Sequence, residues 1–398
     1  MFLLVLEAAG SVSLTIWGYL LLARGGFWRA PESSQDQWSC ATSHGKTHSP
    51  DNRPSSATIA AIIPARDEAD VIGRAVTSLM EQSEAGSIRV FVVDDGSTDG
   101  TAGVALAAGE TAGKSEALRV IPGQSLPPGW SGKLWALQQG IVRAHEFAPR
   151  YFLLTDADVV HAPDELSGLI ELMEAGSYDL ASLIVKLRCE SIAEKLLMPA
   201  LVFFFFQLYP PSWIADPRCQ TAGAAGGCIL IRPEALERAG GIAAVRGEVI
   251  DDCALAGAVK RSGGKLWLGA AKKTASIRAY EGFSGIGQMI SRTAFRQLRH
   301  SAALLLLTIL AMTLVYLLPV ALVLTGRPMA AMLGVTTWLL MTVAYRPTVK
   351  YCGLSPQWAL LLPAAALFYM GATVRSALLY WWGRGGEWKG RVQDGKKL

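Results

Sequence analysis

Apolar positions follow three regimes along the chain. Residues 2–23 (FLLVLEAAGSVSLTIWGYLLLA) are apolar apart from Glu7, a run long enough to cross a bilayer as a helix. From 58 to about 190, short apolar runs alternate with stretches at helical spacing. TIAAIIP (58–64), IRVFVVDD (88–95), LRVIPG, YFLLTDAD and YDLASLIVKL read as strands. EADVIGRAVTSLMEQ (68–82), LWALQQGIVRAHE (134–146) and DELSGLIELMEAG (164–176) read as helices, as does the Ala-rich segment after DGSTDGT. This alternation predicts βαβ units and a largely parallel sheet. Ligands of such sheets sit beyond the carboxyl ends of the strands. The third regime is long and apolar again, at 302–325, 329–345 and 357–382.

Flanking residues refine the membrane reading. The first run is followed, not preceded, by Arg24 and Arg29, the reverse of a secretory signal peptide. An uncleaved anchor with the next loop in the cytoplasm is expected. Residues 30–57 are rich in Ser and Pro and read as a flexible tether. IAEKLLMPALVFFFFQLYPPSWI (192–214) has four consecutive phenylalanines but also Pro199, Pro210 and Pro211. An interfacial or re-entrant helix fits better than a straight span, with a buried core helix as the alternative. Three full spans at the far end would place a tail with Arg384, Lys389, Arg391, Lys396 and Lys397 outside, against the positive-inside tendency. The run with Pro363 and Arg375 is therefore expected to be bent or interfacial.

Composition agrees. Of the 398 residues 51% are hydrophobic and 18% charged, with a mean hydropathy of +0.30. The net charge of +4 is mild, and no basic stripe with interleaved aromatics predicts nucleic-acid binding. The six cysteines make no C-x-x-C pair, which argues against a zinc site and for reduced thiols. A bound metal would have to be held by carboxylates.

Carboxylates do collect at the strand ends. Asp67 and Glu68 follow IIPAR closely, Asp94 and Asp95 end VFVV, and Asp156 and Asp158 follow FLLT. One rim bearing these groups would repel itself without cations, and all-oxygen ligands suit Mg²⁺ or Mn²⁺ together with a substrate phosphate. On an extended chain, D-x-D points both side chains to one face. One carboxylate can then ligand the metal while the other reaches a ribose hydroxyl or a metal-bound water. A lone D-x-D is more often a turn; three acidic strand ends in series are more specific.

IIPARDEADVI (62–72), VVDDGSTDGT (92–101), GKLWALQQG (132–140), TDAD (155–158), GAAGGCILIRPEALERAGGI (223–242) and VIDDCAL (249–255) together resemble a family 2 glycosyltransferase with the GT-A nucleotide-diphospho-sugar transferase fold. PPGWSGKLWAL (127–137), GRGGEWKGR (383–391) and the flanking apolar runs resemble the hopene-associated subgroup most. The resemblance implies an α/β fold with N- and C-terminal transmembrane helices. Its plan is an anchor at 1–24, a linker at 25–57, a catalytic domain at 58–300 with 192–214 as an interfacial helix, membrane helices at 301–382, and a basic tail at 383–398.

The same resemblance implies roles. Pro64, Ala65 and Glu68 would line a nucleoside pocket, and Asp95 with Asp94 would bind the base or ribose. Lys133 would lie near the diphosphate. Asp156 and Asp158 would form the family's DXD motif, with Asp158 as the direct ligand of Mg²⁺ or Mn²⁺. Asp252, the second of the Asp251–Asp252 pair, would be the general base. Capping of the adjoining helix is the other reading of Asp251 and Asp252, and suits Asp251 better. The implied reaction is inverting transfer from a nucleotide-diphospho-sugar, with a UDP-sugar expected, to a lipid acceptor at a bacterial inner membrane, the catalytic part facing the cytoplasm. A polyprenyl-phosphate or carotenoid glycosyltransferase, and a non-catalytic nucleotide-sugar binder, are alternatives. MISRTAFRQLRHS (289–301) lacks the Q-x-x-R-W of processive members, which disfavours polymer synthesis. Its arginines suit diphosphate, lipid headgroups or a membrane-surface helix alike. The glycines of TAGAAGGC (221–228) fit either a loop beneath the acceptor or a tight turn before the next strand.

Overall fold

The computed structural model describes residues 2–32, 58–82, 87–248, 250–383, 387–388 and 391–392. The expected linker from Ser33 onward lies outside the described residues, as do Arg384, Lys389, Lys396 and Lys397 of the expected basic tail. Two compact units interleave along the sequence. One takes Met1–Glu32, Cys189–Pro210 and Ala279–Leu398; the other takes Ser33–Arg188 and Pro211–Arg278.

The second unit is an α/β domain. Its strands are β1 (Thr58–Ala65), β2 (Ser87–Asp94), β3 (Leu118–Pro122), β4 (Tyr151–Leu154), β5 (Val159–Val160), β6 (Leu180–Lys186), β7 (Ile229–Ile231) and β8 (Leu266–Ser276). They form one sheet in the order β3-β2-β1-β4-β7-β6-β8-β5. Strands β1 to β4 run parallel, as do β6 and β8, while β7 is antiparallel to both its neighbours and β5 to β8. The apolar runs of β1 and β4 are continuous because nearly every residue in them is buried, as strands covered on both faces require. A helix, Gly132–Ala144, packs on β1, and Ser131 caps its start by accepting from the Leu134 amide. Gly140 is where this helix touches the sheet. A Cβ there would sit 2.5 Å from Ile62 Cγ2, so only glycine allows that approach.

The far edge, β5 and β8, is not visible in the apolar pattern. Strand β8 pairs with β6 through Ala270, then shifts register, so that Lys186 meets Ala275. The buried Glu165 carboxylate accepts from the backbone amides of Lys272, Lys273 and Thr274. Amides that the irregularity takes out of the ladder thus find an acceptor. A bulge of this kind redirects the strand beyond it. Here Ser276 pairs with Val159 of β5, and the chain runs on to Arg278.

The other unit is helical and apolar. Among the described residues, four helices are long and apolar enough to cross a membrane, at Ile192–Ala215, Ala302–Val323, Pro328–Tyr351 and Pro356–Trp381, and a shorter apolar helix covers Leu6–Leu22. The last of the four opens as a tight 3-10 turn, Pro356–Leu361, and continues as an α-helix to Trp381. The phenylalanine run lies on Ile192–Leu208, which starts with a capping box between Ser191 and Glu194. Phe203 meets the rings of Phe27 and Tyr345, and Phe204 those of Tyr316 and Tyr369. Meanwhile Leu306, Leu307, Leu310, Leu339 and Val343 are exposed, an apolar surface suited to lipid.

One contact ties the first helix in. Pro319 has no amide hydrogen, so the Val315 carbonyl four residues earlier loses its ordinary helical donor. The indole of Trp17, fully buried, donates to that carbonyl at 2.9 Å, and its ring meets Tyr316 edge-on. Trp17→Phe keeps an aromatic ring but removes the indole donor to this carbonyl. It should cost about 1–3 kcal/mol, read as a lower melting temperature of the detergent-solubilised protein.

Candidate active site

The carboxyl ends of β1, β2 and β4 carry acidic residues that acquire different partners. Asp67 has a left-handed backbone, φ 51°, and its carboxylate accepts from the Thr98 amide at 2.8 Å. Asp94 accepts from the Ser97 amide, and Asp99 from those of Ala69 and Thr101. These residues zip the RDEA and DGSTDGT loops together. Asp95 is buried and pairs with Arg66, whose guanidinium also donates to the Asp95 carbonyl. Gly123 allows the chain after β3 to cross this spot, since a Cβ there would lie 2.9 Å from the Asp94 carbonyl oxygen. Pro64 and Ala65 end β1 beside Val93 and Asp94. Glu68 lies close by and is held by both its oxygens, at 2.8 and 2.9 Å, by Arg278.

Asp156 and Asp158 do not share a face as an extended D-x-D would. Strand β4 ends at Leu154, and Ala157–Asp158 form a turn. The turn is fixed through Thr155, whose hydroxyl donates to the Gly227 carbonyl at 2.8 Å and lies 2.9 Å from His161 Nε2. Asp156 Oδ1 meets Lys133 Nζ at 2.8 Å. Asp158 instead accepts from Ser276 Oγ at 2.6 Å and Arg278 Nε at 3.1 Å. The turn separates side chains that extended geometry would have aligned.

Lys133 is the meeting point. Its ammonium also lies 3.6 Å from Asp251 Oδ2. Burial lowers the affinity of this amine for its proton, but Asp156 and Asp251, with Asp252 beyond them, outweigh burial and hold the pKa above its ordinary value. Helix Asp251–Arg261 brings the last two carboxylates. Its cap residue is Ile250, and no side chain caps it, so the capping role considered for Asp251 is not the one found. Asp251 and Asp252 occupy the first turn, where negative charge complements the helix dipole. The Asp252 carboxylate is oriented by two backbone amides, Gly226 at 2.9 Å and Cys253 at 2.7 Å. Burial and the neighbouring Asp251 charge push its pKa up to about 6, against the opposing pull of Lys133 and the amides.

The TAGAAGGC segment forms the floor of this cluster. Ser182 Oγ receives the Ala225 amide and donates to the Ala225 carbonyl, which presents Gly226 upward. A Cβ on Gly226 would lie 3.2 Å from Lys133 Nζ, 3.5 Å from Asp252 Oδ2 and 3.8 Å from Asp156 Oδ2. Lys133, Thr155, Asp156, Gly226, Asp251 and Asp252 line one pocket, closed on its apolar side by Leu137, Leu154 and Ile242. An ammonium and a carboxylate of raised pKa, facing one space, can stabilise a departing anion and accept a proton.

Among the described residues, no three His, Cys, Asp or Glu side chains form a group able to hold a metal ion. The carboxylates at hand, Asp156 and Asp158, make no closed cage. They fit a hard cation that takes one or two carboxylates from protein and the rest of its oxygens from substrate phosphate and water. Ser276 and Arg278 were missed in the sequence. Their only signal was the polar interruption KKTASIR after LWLGAA.

Residues 60–240 match the family model described as Glycosyl transferase family 2. Residues 60–240 are thus similar to a family 2 glycosyltransferase domain, and the α/β fold is the expected GT-A fold. The mannosyltransferase PcManGT from Pyrobaculum calidifontis, in complex with GDP-Man and Mn²⁺, superposes with a TM-score of 0.53 at 18% identity, covering 91% of this chain and 99% of that one. That is a likeness of fold. Glucosyl-3-phosphoglycerate synthase from Mycobacterium tuberculosis matches at 20% identity with a TM-score of 0.36, over 58% of this chain and 76% of that one. Mannosyl-3-phosphoglycerate synthase from Rubrobacter xylanophilus gives 17% and 0.37, over 66% and 77%. No curated protein matches.

Gly226→Ala should leave the melting temperature nearly unchanged while pressing Lys133 and Asp252 apart. Misplacement on this scale is expected to lower turnover by up to about a hundredfold, measured as product formed per enzyme alongside a thermal melt.

Proposed function

We propose that the protein is a membrane-bound, inverting glycosyltransferase that moves a sugar from a nucleotide-diphospho-sugar to the hydroxyl of a lipid, with a hopanoid or similar polycyclic lipid as the acceptor. The observation that carries this reading is the Lys133–Asp156–Asp251–Asp252 cluster over Gly226 within a family 2 domain. The apolar helices support the lipid acceptor. They also support a multi-pass placement in a bacterial inner membrane, with the catalytic part facing the cytoplasm. The plan of anchor, linker, catalytic domain, membrane helices and tail belongs to the same proposal.

In this reading Pro64, Ala65, Glu68, Asp94 and Asp95 receive the nucleoside. Asp156 and Asp158 would hold Mg²⁺ or Mn²⁺ together with the donor diphosphate; the cation, when bound, would neutralise charge on the leaving group. Lys133 adds a fixed positive charge at the same point, so no acid is required there. Asp252 accepts the proton of the attacking hydroxyl. Its two amide donors aim the carboxylate, and burial beside Asp251 makes it a stronger base than an exposed aspartate. A single base on the face opposite the leaving group produces inversion.

Lipid mass spectrometry of cells with and without the gene tests the acceptor. A missing hexosylated hopanoid is expected on deletion, and an unchanged hopanoid profile would refute that acceptor. The donor is tested with purified protein offered UDP- and GDP-sugars in parallel, a UDP-sugar being the expected substrate.

Asp252→Asn should abolish transfer and leave donor binding intact; full activity in this variant would sink the base assignment. The base must be ionised, so in the unmodified enzyme kcat/KM should rise with pH up to about 6 and level off above it. Asp251→Asn removes the like charge that raises Asp252, and should move that midpoint to lower pH.

A further inference from the structure

We infer that Arg278 is a resident counter-ion that occupies the cation-binding side of Asp158 when no metal is present, and withdraws onto Glu68 when one binds. The inference rests on the reading of Asp158 as a cation ligand in the donor site. It concerns a residue that the proposed chemistry itself does not use.

The geometry is that of a cation with two berths. Arg278 Nε donates to Asp158 Oδ2 at 3.1 Å, while its Nη2 bridges both oxygens of Glu68 at 2.8 and 2.9 Å. The Glu68 and Asp158 side chains are only 10% and 11% exposed, and carboxylates so covered are not left without positive charge. Ser276 holds the same Oδ2 at 2.6 Å, and the Ile277 amide donates to the Asp158 carbonyl at 2.9 Å. The end of β8 is therefore fastened to the Asp158 turn independently of the guanidinium. Releasing the Nε contact would not undo that junction.

A divalent cation cannot share Asp158 with this guanidinium at contact distance, because like charges so close repel strongly. The guanidinium can yield, however. Its Nη2 already reaches both Glu68 oxygens, so the guanidinium keeps a carboxylate partner when Nε leaves Asp158, and the side chain is 31% exposed, which leaves it room to turn.

The test is Mn²⁺ binding to the full-length protein in detergent, followed by electron paramagnetic resonance without nucleotide or acceptor. Arg278→Gln removes the competitor and should tighten Mn²⁺ binding by about tenfold or more, the effect of deleting a like charge at contact range. Glu68→Gln removes the alternative berth, commits the guanidinium to Asp158, and should weaken binding relative to the unmodified protein. Arg66→Gln deletes a nearby cation that pairs with Asp95 and should change the affinity by less than about twofold. Unchanged or weaker binding in Arg278→Gln would overturn the inference, as would equal tightening in Arg66→Gln, which would mark a general charge effect. If Arg278→Gln does not fold, Glu68→Gln decides by itself, and unchanged or tighter binding there would overturn the inference. Sugar transfer is not read in any arm, so a failure here is separable from a failure of the glycosyltransferase reading.

Discussion

Everything at the candidate site follows from one constraint: carboxylates brought together at the carboxyl ends of parallel strands must be neutralised. A sheet of this topology delivers its loops to one rim, and the loops here are acidic. The domain answers with cations from its own sequence. Lys133 enters on the first turn of a helix and stands among Asp156, Asp251 and Asp252. Arg66 attends Asp95, and Arg278 spans Glu68 and Asp158. The remaining acids, Asp67, Asp94 and Asp99, are satisfied by backbone amides and serve to bind one loop to another. The rim is thus divided into groups that shape it and groups held beside a cation, where a charged ligand can rearrange them.

The scaffold makes that division possible by fine control of approach. Gly140 lets the lysine-bearing helix lie directly on β1, Gly123 lets the loop after β3 cross the Asp94 backbone, and Gly226 opens a floor beneath the ammonium. At the opposite edge, Glu165 gathers the amides of a bulge and thereby sets where β8 leads. Each is a local backbone decision with an effect on charge placement some distance away.

Much of this was legible in the sequence, because it is carried by short-range pattern. Continuous apolar runs marked β1, β2 and β4, and the acidic pairs at their ends marked the rim. Lys133, Asp156, Asp251 and Asp252 were all visible as residues, and the structure brings them together. Pairing at long range could not be read. Ser276 and Arg278 reach Asp158 across more than a hundred residues, through a strand whose polar interruption hides its period. The turn at Ala157 defeated the inference from extended D-x-D geometry, since Thr155 fixes it through Gly227, far along the chain. The Asp252 amide contacts were likewise invisible, because a helix start read from sequence reveals which residues are acidic but not where their oxygens are held.

The indole of Trp17 has a consequence for how the chain is made. Its acceptor, the carbonyl exposed by Pro319, belongs to a segment synthesised almost three hundred residues later. A ribosome therefore releases the first helix long before its hydrogen-bonding partner exists. The α/β domain, drawn from the intervening sequence, emerges in between. Completion of the helical unit is accordingly a late event in biogenesis, and the early helix waits for that partner while the intervening chain is made.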